Sequence, residues 1–489
     1  MSHTLYTLEE VLQPRSVAIL GASRAPQKWG HVAAKQLMAG GFSGAIYLIN
    51  PSVSEILGQT TYPSLRDVPD HVDLAVIATA FPHVSQSVDD CIAHGVKGIV
   101  IITAGFSETG PEGRALERAL VARCHEHGIR IIGTNCMGLY VHRSKLNALG
   151  MVFPLPVGPI GLVSQSGNLG MYWYAQAQLD GLGFNTFLSI GNAIDVTFPE
   201  CMQYLADDPG TTVIAGYVEA VEEQTLLKVP QEMHARGRYK PVVILLSGAT
   251  EVGVRAAQAH TGAQATLRSD QDTRLLHSGI VRVLRSDELF PVAQALALQP
   301  PTPQGGRRIA IVGDGGGSSV ATGDAAIRAG LEVPILDEET QQELRKLMPP
   351  RANSTNPIDV AGATDEDPLS FATITEVCLQ DPTIDGVIIT GLFGGYRMLL
   401  SEEFGVREAK AALELGRLVR QYQKPVLVQT VYARYDIPAL HLLQEEHIPY
   451  YESVEITCRA MAALSEVGQF LASMTESSIQ NAPLSSVTD

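Results

Sequence analysis

The sequence predicts an α/β protein assembled from repeated parallel-sheet units, and three observations carry that prediction. Strand-length runs such as LAVIATA, GIVIITAGF, IRIIGTN, TTVIAGYVE, PVVILLSG, GVIITGLFGG and PVLVQTVY are apolar nearly throughout rather than alternating. Strands of that kind belong to parallel sheets with helices on both faces. A second pattern, an apolar run followed by a small-residue loop and a helix-like stretch, recurs three times. The chain is also 489 residues long, which at roughly 150 residues per domain corresponds to about three domains.

The first recurrence is SVAILGAS, Ser16 to Ser23, with a helix expected from about Gly30 to Ala39 and a following strand in AIYLINP. The second is PIGLVSQSGNLG, Pro159 to Gly170, and the third is RRIAIVGDGGGSSV, Arg307 to Val320. Proline and glycine interrupt the periodicity at GMVFPLPVG, Gly150 to Gly158, and at QPPTPQGG, Gln299 to Gly306. Such clusters punctuate folds, and they divide the chain into 1–150, 151–303 and 304–489. The tail after about Ser473 is expected to be loose.

Composition narrows the function. The chain is 45% hydrophobic and 18% charged, an ordinary globular balance. The formal charge of −17 opposes binding to nucleic acid or an anionic membrane surface, because no basic patch offsets it. Six cysteines lie scattered without CxxC or Cys/His spacing, which suggests neither a disulfide framework nor a zinc site and fits a reducing compartment. The N-terminus lacks a signal-peptide pattern and no run reaches eighteen apolar residues, so a soluble cytoplasmic protein is expected.

Each glycine loop falls where a strand hands over to a helix. In open α/β sheets that is the ligand crevice, and the helix start offers unpaired N–H groups to an anion. Glycine there also serves tight turns and close packing alone. Dinucleotide binding is disfavoured at GASRAPQKWG: GxGxxG is absent, and the second strand ends in Asn50 and Pro51 instead of the acid that holds ribose hydroxyls. A nucleotide with a pyrophosphate and a 3′-phosphorylated adenosine, such as coenzyme A, suits the loop better.

Through nearly its whole length the chain resembles the alpha subunit of nucleoside-diphosphate-forming acyl-CoA synthetases, relatives of succinyl-CoA synthetase. The likeness implies an N-terminal Rossmann-like CoA-binding domain followed by two flavodoxin-like parallel-sheet domains. In the first, the resemblance assigns CoA contacts to Gly21, Ala22, Ser23 and Arg24, to Asn50, Pro51 and Ser52, to Ile102, Thr103 and Ala104 within IITAGFSE, and to Asn135 within GTNCMG. Ser52 stands where ADP-forming relatives usually carry lysine, and Ala80 where they often carry proline. In the second domain VSQSGNLG resembles a phosphate-facing helix start, with Ser164, Ser166, Gly167 and Asn168 as the holding residues. GYVEAVEE and SGATEVGVRAAQAHTGA place a catalytic carboxylate at Glu219 and a phosphorylated histidine at His260. In the third, TNPIDVAG and GLFGGYRM carry over Asn356, Gly394 and Gly395.

The chemistry fits these residue types. Neutral imidazole has a lone pair that accepts a phosphoryl group and passes it on, and a carboxylate orients the ring through its other nitrogen. Small residues around His260 (Ala256, Ala257, Ala259, Gly262, Ala263) suit a loop that moves. Plainer roles stand beside these: Glu219 as a strand-end acid, Glu222 and Glu223 as surface acids, Ser166 and Asn168 as helix caps, and Arg397 paired with an acidic neighbour. The family it resembles needs an ATP-grasp domain, for which three α/β domains leave no length, so the resemblance implies that Mg-ATP is bound by an ATP-grasp beta subunit in a hetero-oligomer. The expected function is therefore the catalytic alpha subunit of an ADP-forming acyl-CoA synthetase. The alternative, prompted by Ser52 and Ala80, is a CoA-binding regulatory protein without the chemistry.

Overall fold

The computed structural model describes residues 4–150, 156–179, 182–219, 221–247, 250–253, 255, 271–360 and 362–480. The described chain forms two compact units, one of Met1–Arg274 with Arg282–Leu284 and one of Leu275–Val281 with Arg285–Asp489.

The first unit opens with a seven-stranded sheet of β1 (Ser16–Leu20), β2 (Ala45–Ile49), β3 (Glu55–Ile56), β4 (Gln59–Tyr62), β5 (Leu74–Ile77), β6 (Gly98–Ile101) and β7 (Arg130–Gly133). Their spatial order is β3-β4-β2-β1-β5-β6-β7, parallel except for the β3–β4 hairpin. Alternate sides of β1 and β5 both carry apolar residues, and Ala18, Leu20, Ala75 and Ile77 are buried in one cluster. Hence these strands read as continuous apolar runs.

A second sheet contains β8 (Leu139–Val141), β9 (Leu146–Asn147), β10 (Ile160–Ser164), β11 (Phe184–Ser189), β12 (Val213–Val218), β13 (Val242–Leu246) and β14 (Ile280–Val283), ordered β14-β13-β12-β10-β11-β8-β9. The third sheet, in the second unit, is wholly parallel: β15 (Ile309–Gly313), β16 (Ile358–Asp359), β17 (Gly386–Gly391), β18 (Val426–Thr430) and β19 (Tyr450–Tyr451), ordered β16-β15-β17-β18-β19. The fold is α/β throughout, a Rossmann-like sheet followed by two flavodoxin-like ones. In each sheet the chain order reverses at one strand, β1, β10 or β15, and those three strands run into the three glycine turns. Reversal points are where α/β sheets open a crevice.

The Gln299–Gly306 segment is held closely: Val426 N–H donates to Gln299 Oε1 at 2.9 Å, and Ser465 Oγ donates to Gly305 O at 2.9 Å. One stretch differs from expectation. The last helix, Val454–Gln480, continues past Ser473. Ser473 and Thr475 turn their hydroxyls back onto the carbonyls of Phe470 and Leu471, so polar residues that read as a loose tail cap their own helix turn. Among the described residues no helix is long and apolar enough to cross a membrane.

Candidate functional site

β10 ends at Ser164, and the helix Gly167–Leu179 starts three residues later. Ser164 is fully buried and its hydroxyl donates to Ser166 O at 2.6 Å, so this residue shapes the turn from beneath. Ser166 caps the helix, its Oγ accepting from Leu169 N–H at 3.4 Å. A Cβ on Gly167 would fall 2.0 Å from Met137 Cγ, which is why only glycine lets the helix start approach the loop after β7.

Above this turn lies a cavity of about 450 Å³. Gln165, Ser166, Gly167 and Asn168 line one side. Ala78 and Thr79 beyond β5, Ile102, Thr103 and Ala104 beyond β6, and Asn135, Cys136 and Met137 beyond β7 line the other, with Trp29 completing the described wall. The structure thus brings together the expected CoA contacts at Ile102–Ala104 and Asn135 with the expected phosphate contacts at Ser166–Asn168. None of the described lining residues carries a charge. A helix start beside an uncharged lining is an arrangement that favours an anion.

The remaining first-domain candidates sit at the same sheet end without lining this cavity. Gly21 takes φ +86°, and a Cβ there would lie 2.8 Å from the Ala78 and Thr79 backbone. Asn50 Nδ2 donates to Ala22 O at 2.7 Å, Ser52 N–H donates to Asn50 Oδ1 at 2.8 Å, and Arg24 Nε donates to Glu55 O at 2.9 Å. His31 Nδ1 lies 2.8 Å from Ser23 O. Pro51 starts the turn that follows β2.

A buried polar network holds the cavity loops, and the sequence reading did not single it out. Asn192, in the turn after β11, donates from Nδ2 to Glu108 Oε2 and Glu117 Oε1, both at 2.8 Å. Thr134 Oγ1 donates to Glu117 Oε1 at 2.6 Å, and Gly105 N–H donates to Glu108 Oε1 at 2.5 Å. Desolvation pushes the Glu108 carboxyl up, yet the Gly105 N–H and the Asn192 amide hold it below the usual glutamate range. Three residues on, Asp195 accepts from Ile131 N–H at 2.7 Å and from Arg130 Nε at 3.1 Å. The turn after β11 is thereby keyed into the first sheet. The only signal in the sequence was a polar run, GNAID, at the end of an apolar strand.

Glu219 follows β12 and is 7% exposed. Its backbone N–H donates to Gln165 Oε1 at 2.6 Å, which ties it to a cavity wall. Burial first, and then the neighbouring Glu219 charge, push the Tyr217 hydroxyl up to about 12. Glu222 caps the helix Glu223–Ala235 by accepting from Gln224 and Thr225 N–H. His260 and its flanking alanines lie outside the described residues.

In the second unit, Asn356 is buried with its amide fully engaged: Nδ2 donates to Ile309 O and Pro334 O at 2.9 Å, and Oδ1 accepts from Ile311 N–H at 2.9 Å. Gly394 N–H donates to Glu408 Oε1 at 2.5 Å, and Gly395 N–H donates to Leu392 O at 2.8 Å. Arg397 pairs with Glu402 at 2.7 Å. At the GDGGGSS turn, Asp314 accepts from Leu392 N–H at 2.8 Å and from the Tyr396 hydroxyl at 3.2 Å. Burial pushes the carboxyls of Asp314 and Glu408 up to about 6 and about 7.

A CoA-type sheet and a phosphate-type helix start sharing one uncharged cavity define a class of proteins that join CoA to an activated group. Three families match in chain order: the CoA binding domain over residues 15–142, the succinyl-CoA ligase like flavodoxin domain over 157–296, and the Ligase-CoA domain over 309–438. The chain belongs to the family of ADP-forming acetate–CoA ligase alpha subunits. It is 34% identical over 459 residues to the ADP-forming acetate–CoA ligase II subunit alpha of Pyrococcus furiosus, covering 94% of this chain and 97% of that one. It is also 36% identical over 358 residues to the ADP-forming acetate–CoA ligase of Methanocaldococcus jannaschii, covering 73% of this chain and 49% of that longer one. Among solved structures it is similar to the dinucleotide forming acetyl-coenzyme A synthetase 1 of Ca. Korarchaeum cryptofilum in complex with phosphate and ADP, with TM-score 0.82, 29% identity, and coverage of 96% and 99%. Likeness over this length supports a catalytic chain, not a regulatory one, and the chain is an alpha-type subunit.

Proposed function

We propose that the chain is the acid- and CoA-handling subunit for acid + CoA + ATP ⇌ acyl-CoA + ADP + phosphate, running through phospho-His260 and an acyl phosphate. The observation that carries this reading is the shared cavity: the CoA loops and the helix start at Gly167 face one space. Residues 1–150 hold CoA, 151–303 hold the phosphoryl group and its histidine, and 304–489 complete the ligase; the three family matches support that division.

In this mechanism an ATP-grasp beta subunit holds Mg-ATP and loads His260. A carboxylate oxygen of the acid attacks phosphorus, the P–N bond breaks, and imidazole leaves. The CoA sulfur then attacks the acyl carbon; the C–O bond breaks, and phosphate departs with the thiol proton. Ser166, Gly167 and Asn168 stabilise the transferring phosphoryl group with helix-start donors. Glu219 orients the imidazole and is itself placed through Gln165. Splitting one dehydration into phosphoryl and acyl transfers lowers each barrier.

The test is to purify the chain with an ATP-grasp partner and supply ATP labelled in its terminal phosphate. Acid-labile label on a His260 peptide, absent in His260→Ala, is expected; unchanged labelling in that variant refutes the assignment.

A further inference from the structure

Behind the cavity wall, acids and amides form a line whose hydrogen-bond directions are forced. Carboxylates only accept, so the end of the Asn192 amide that lies 2.8 Å from both Glu108 Oε2 and Glu117 Oε1 is its NH2 group. Its carbonyl is thereby turned the other way, where Oδ1 accepts from Asn135 Nδ2 at 3.4 Å. Among the described residues Asn135 lines the cavity and Asn192 stands behind it. The backbone holds Asn192 in place as well: its N–H donates to Thr134 O at 3.0 Å, and Ile194 and Val196 N–H continue the ladder onto Gly133 O at 3.1 Å and Ile131 O at 3.2 Å.

With its NH2 group turned to Asn192 and its backbone N–H donating to Thr103 O at 3.1 Å, Asn135 keeps Oδ1 for a ligand. Among the described residues that oxygen has no hydrogen-bond partner. Two other polar groups of the wall are already committed within the protein: Thr103 Oγ1 donates to Thr79 O at 2.7 Å, and Gln165 Oε1 accepts from Glu219 N–H at 2.6 Å.

On the function proposed above, CoA brings a donor to this place. Its last amide N–H lies two methylene groups from the sulfur, so a sulfur within roughly 3–3.5 Å of the acyl carbon carries that amide into the same cavity. An amide N–H taken out of water without an acceptor is strongly disfavoured. We infer that Asn192 is a positioning residue: it turns Asn135 so that Oδ1 accepts from the terminal amide N–H of the pantetheine arm, and so sets how far the thiol reaches. The inference rests on that proposed function.

Titration calorimetry on the full chain tests it with CoA, with dethio-CoA, which lacks the sulfur, and with adenosine 3′,5′-bisphosphate, which lacks the whole arm. Wild type, Asn135→Ala, Asn192→Ala and the double variant are compared, with circular dichroism confirming the fold. If Asn192→Ala fails to fold, Asn192→Ser takes its place, since a hydroxyl still offers the two acids a donor but gives Asn135 no carbonyl. Each single variant should weaken CoA and dethio-CoA by roughly fivefold, the size of one hydrogen bond, and leave the bisphosphate within about twofold. Because Asn192 acts through Asn135, the double variant should match Asn135→Ala within about twofold, whereas independent structural damage multiplies the two losses.

Multiplied losses overturn the inference, and so does unchanged CoA affinity in the Asn192 variant. A loss shared by the bisphosphate overturns it by placing the effect on the nucleotide part, and dethio-CoA indifferent to both variants overturns it by making the thiol the partner of Asn135. A wild-type chain that binds no CoA sinks the CoA reading and this inference together. His260 labelling is independent: label with multiplied losses sinks only the role of Asn192, and coupled losses without label sink only the phosphohistidine route.

Discussion

The turns after β10 and β15 start from nearly the same local design and end as opposite electrostatic environments. Both strands are reversal points of their sheets, and both lead through a two-residue turn into a thirteen-residue helix that starts with glycine. After β10 the turn is Gln165–Ser166, and it opens on an uncharged cavity. After β15 it is Asp314–Gly315, and the carboxylate occupies the space: a Cβ on Gly391 would fall 1.9 Å from Asp314 Oδ1, and one on Gly316 3.2 Å from Asp359 Oδ2. A glycine turn at a reversal point is thus not enough for an anion site. The residue immediately after the strand decides which charge the helix start meets.

The largest expected break in that comparison comes from glycine substitutions. Gly167→Val drives a side chain into Met137 and the cavity, and should lower acyl-CoA formation by roughly a hundredfold, the penalty typical of about 1 Å of misplacement. A Cβ on Gly317 meets nothing within 4 Å, so Gly317→Ala should leave turnover within about twofold and raise stability by about 0.5–1 kcal/mol in urea unfolding. Equal losses at the two helices would erase the distinction. Next in size, Gln165→Glu copies the carboxylate of the β15 turn into the β10 turn. Steady-state assays should show a fall of roughly thirtyfold, about 2 kcal/mol of like-charge opposition to the phosphoryl group.

The third expectation concerns pH. Asp314 is pushed up to about 6 and Glu408 to about 7, in both cases first by burial. Groups raised in the folded state bind more protons there than in the unfolded chain, so unfolding free energy falls as pH rises from the unfolded carboxylate range toward 7. Measured as the difference between the full chain and Asp314→Asn combined with Glu408→Gln, so that carboxylates held low elsewhere cancel, each raised group should contribute a decline on the order of 2 kcal/mol between about pH 4 and pH 7. The smallest effect is expected at Asn192→Ala, which leaves Glu108 and Glu117 without their shared donor. A loss of about 1–2 kcal/mol is predicted from thermal melts, with a weaker apparent affinity for CoA.

Much of this could be read from the sequence because the information was local. Apolar runs such as LAVIATA and GVIITG became β5 and β17 since a strand covered on both faces has no polar side to show. That Ser166, Gly167 and Asn168, and Ile102 to Ala104, lie at strand ends and a helix start was legible for the same reason: strand end, small residues and helix start are consecutive in the chain. What stayed hidden depends on partners distant in sequence. Asn192 reaches Glu108 across 84 positions and Glu117 across 75. Trp29 is placed against Gly150, and Asp314 against Gly391, Leu392 and Tyr396. Arg397 was open between a substrate carboxylate and a neighbour, and its Nε pairs with Glu402.

Cys136 places a sulfhydryl on the wall of the cavity to which we assign thioester formation. An ionised sulfur there would compete with the coenzyme and capture the acyl group on the protein. Burial pushes this thiol up to about 12, and its Sγ donates to Ile101 O at 3.3 Å, so the proton stays on at neutral pH. On the proposed function, the burial that keeps this wall uncharged would also keep a rival nucleophile protonated.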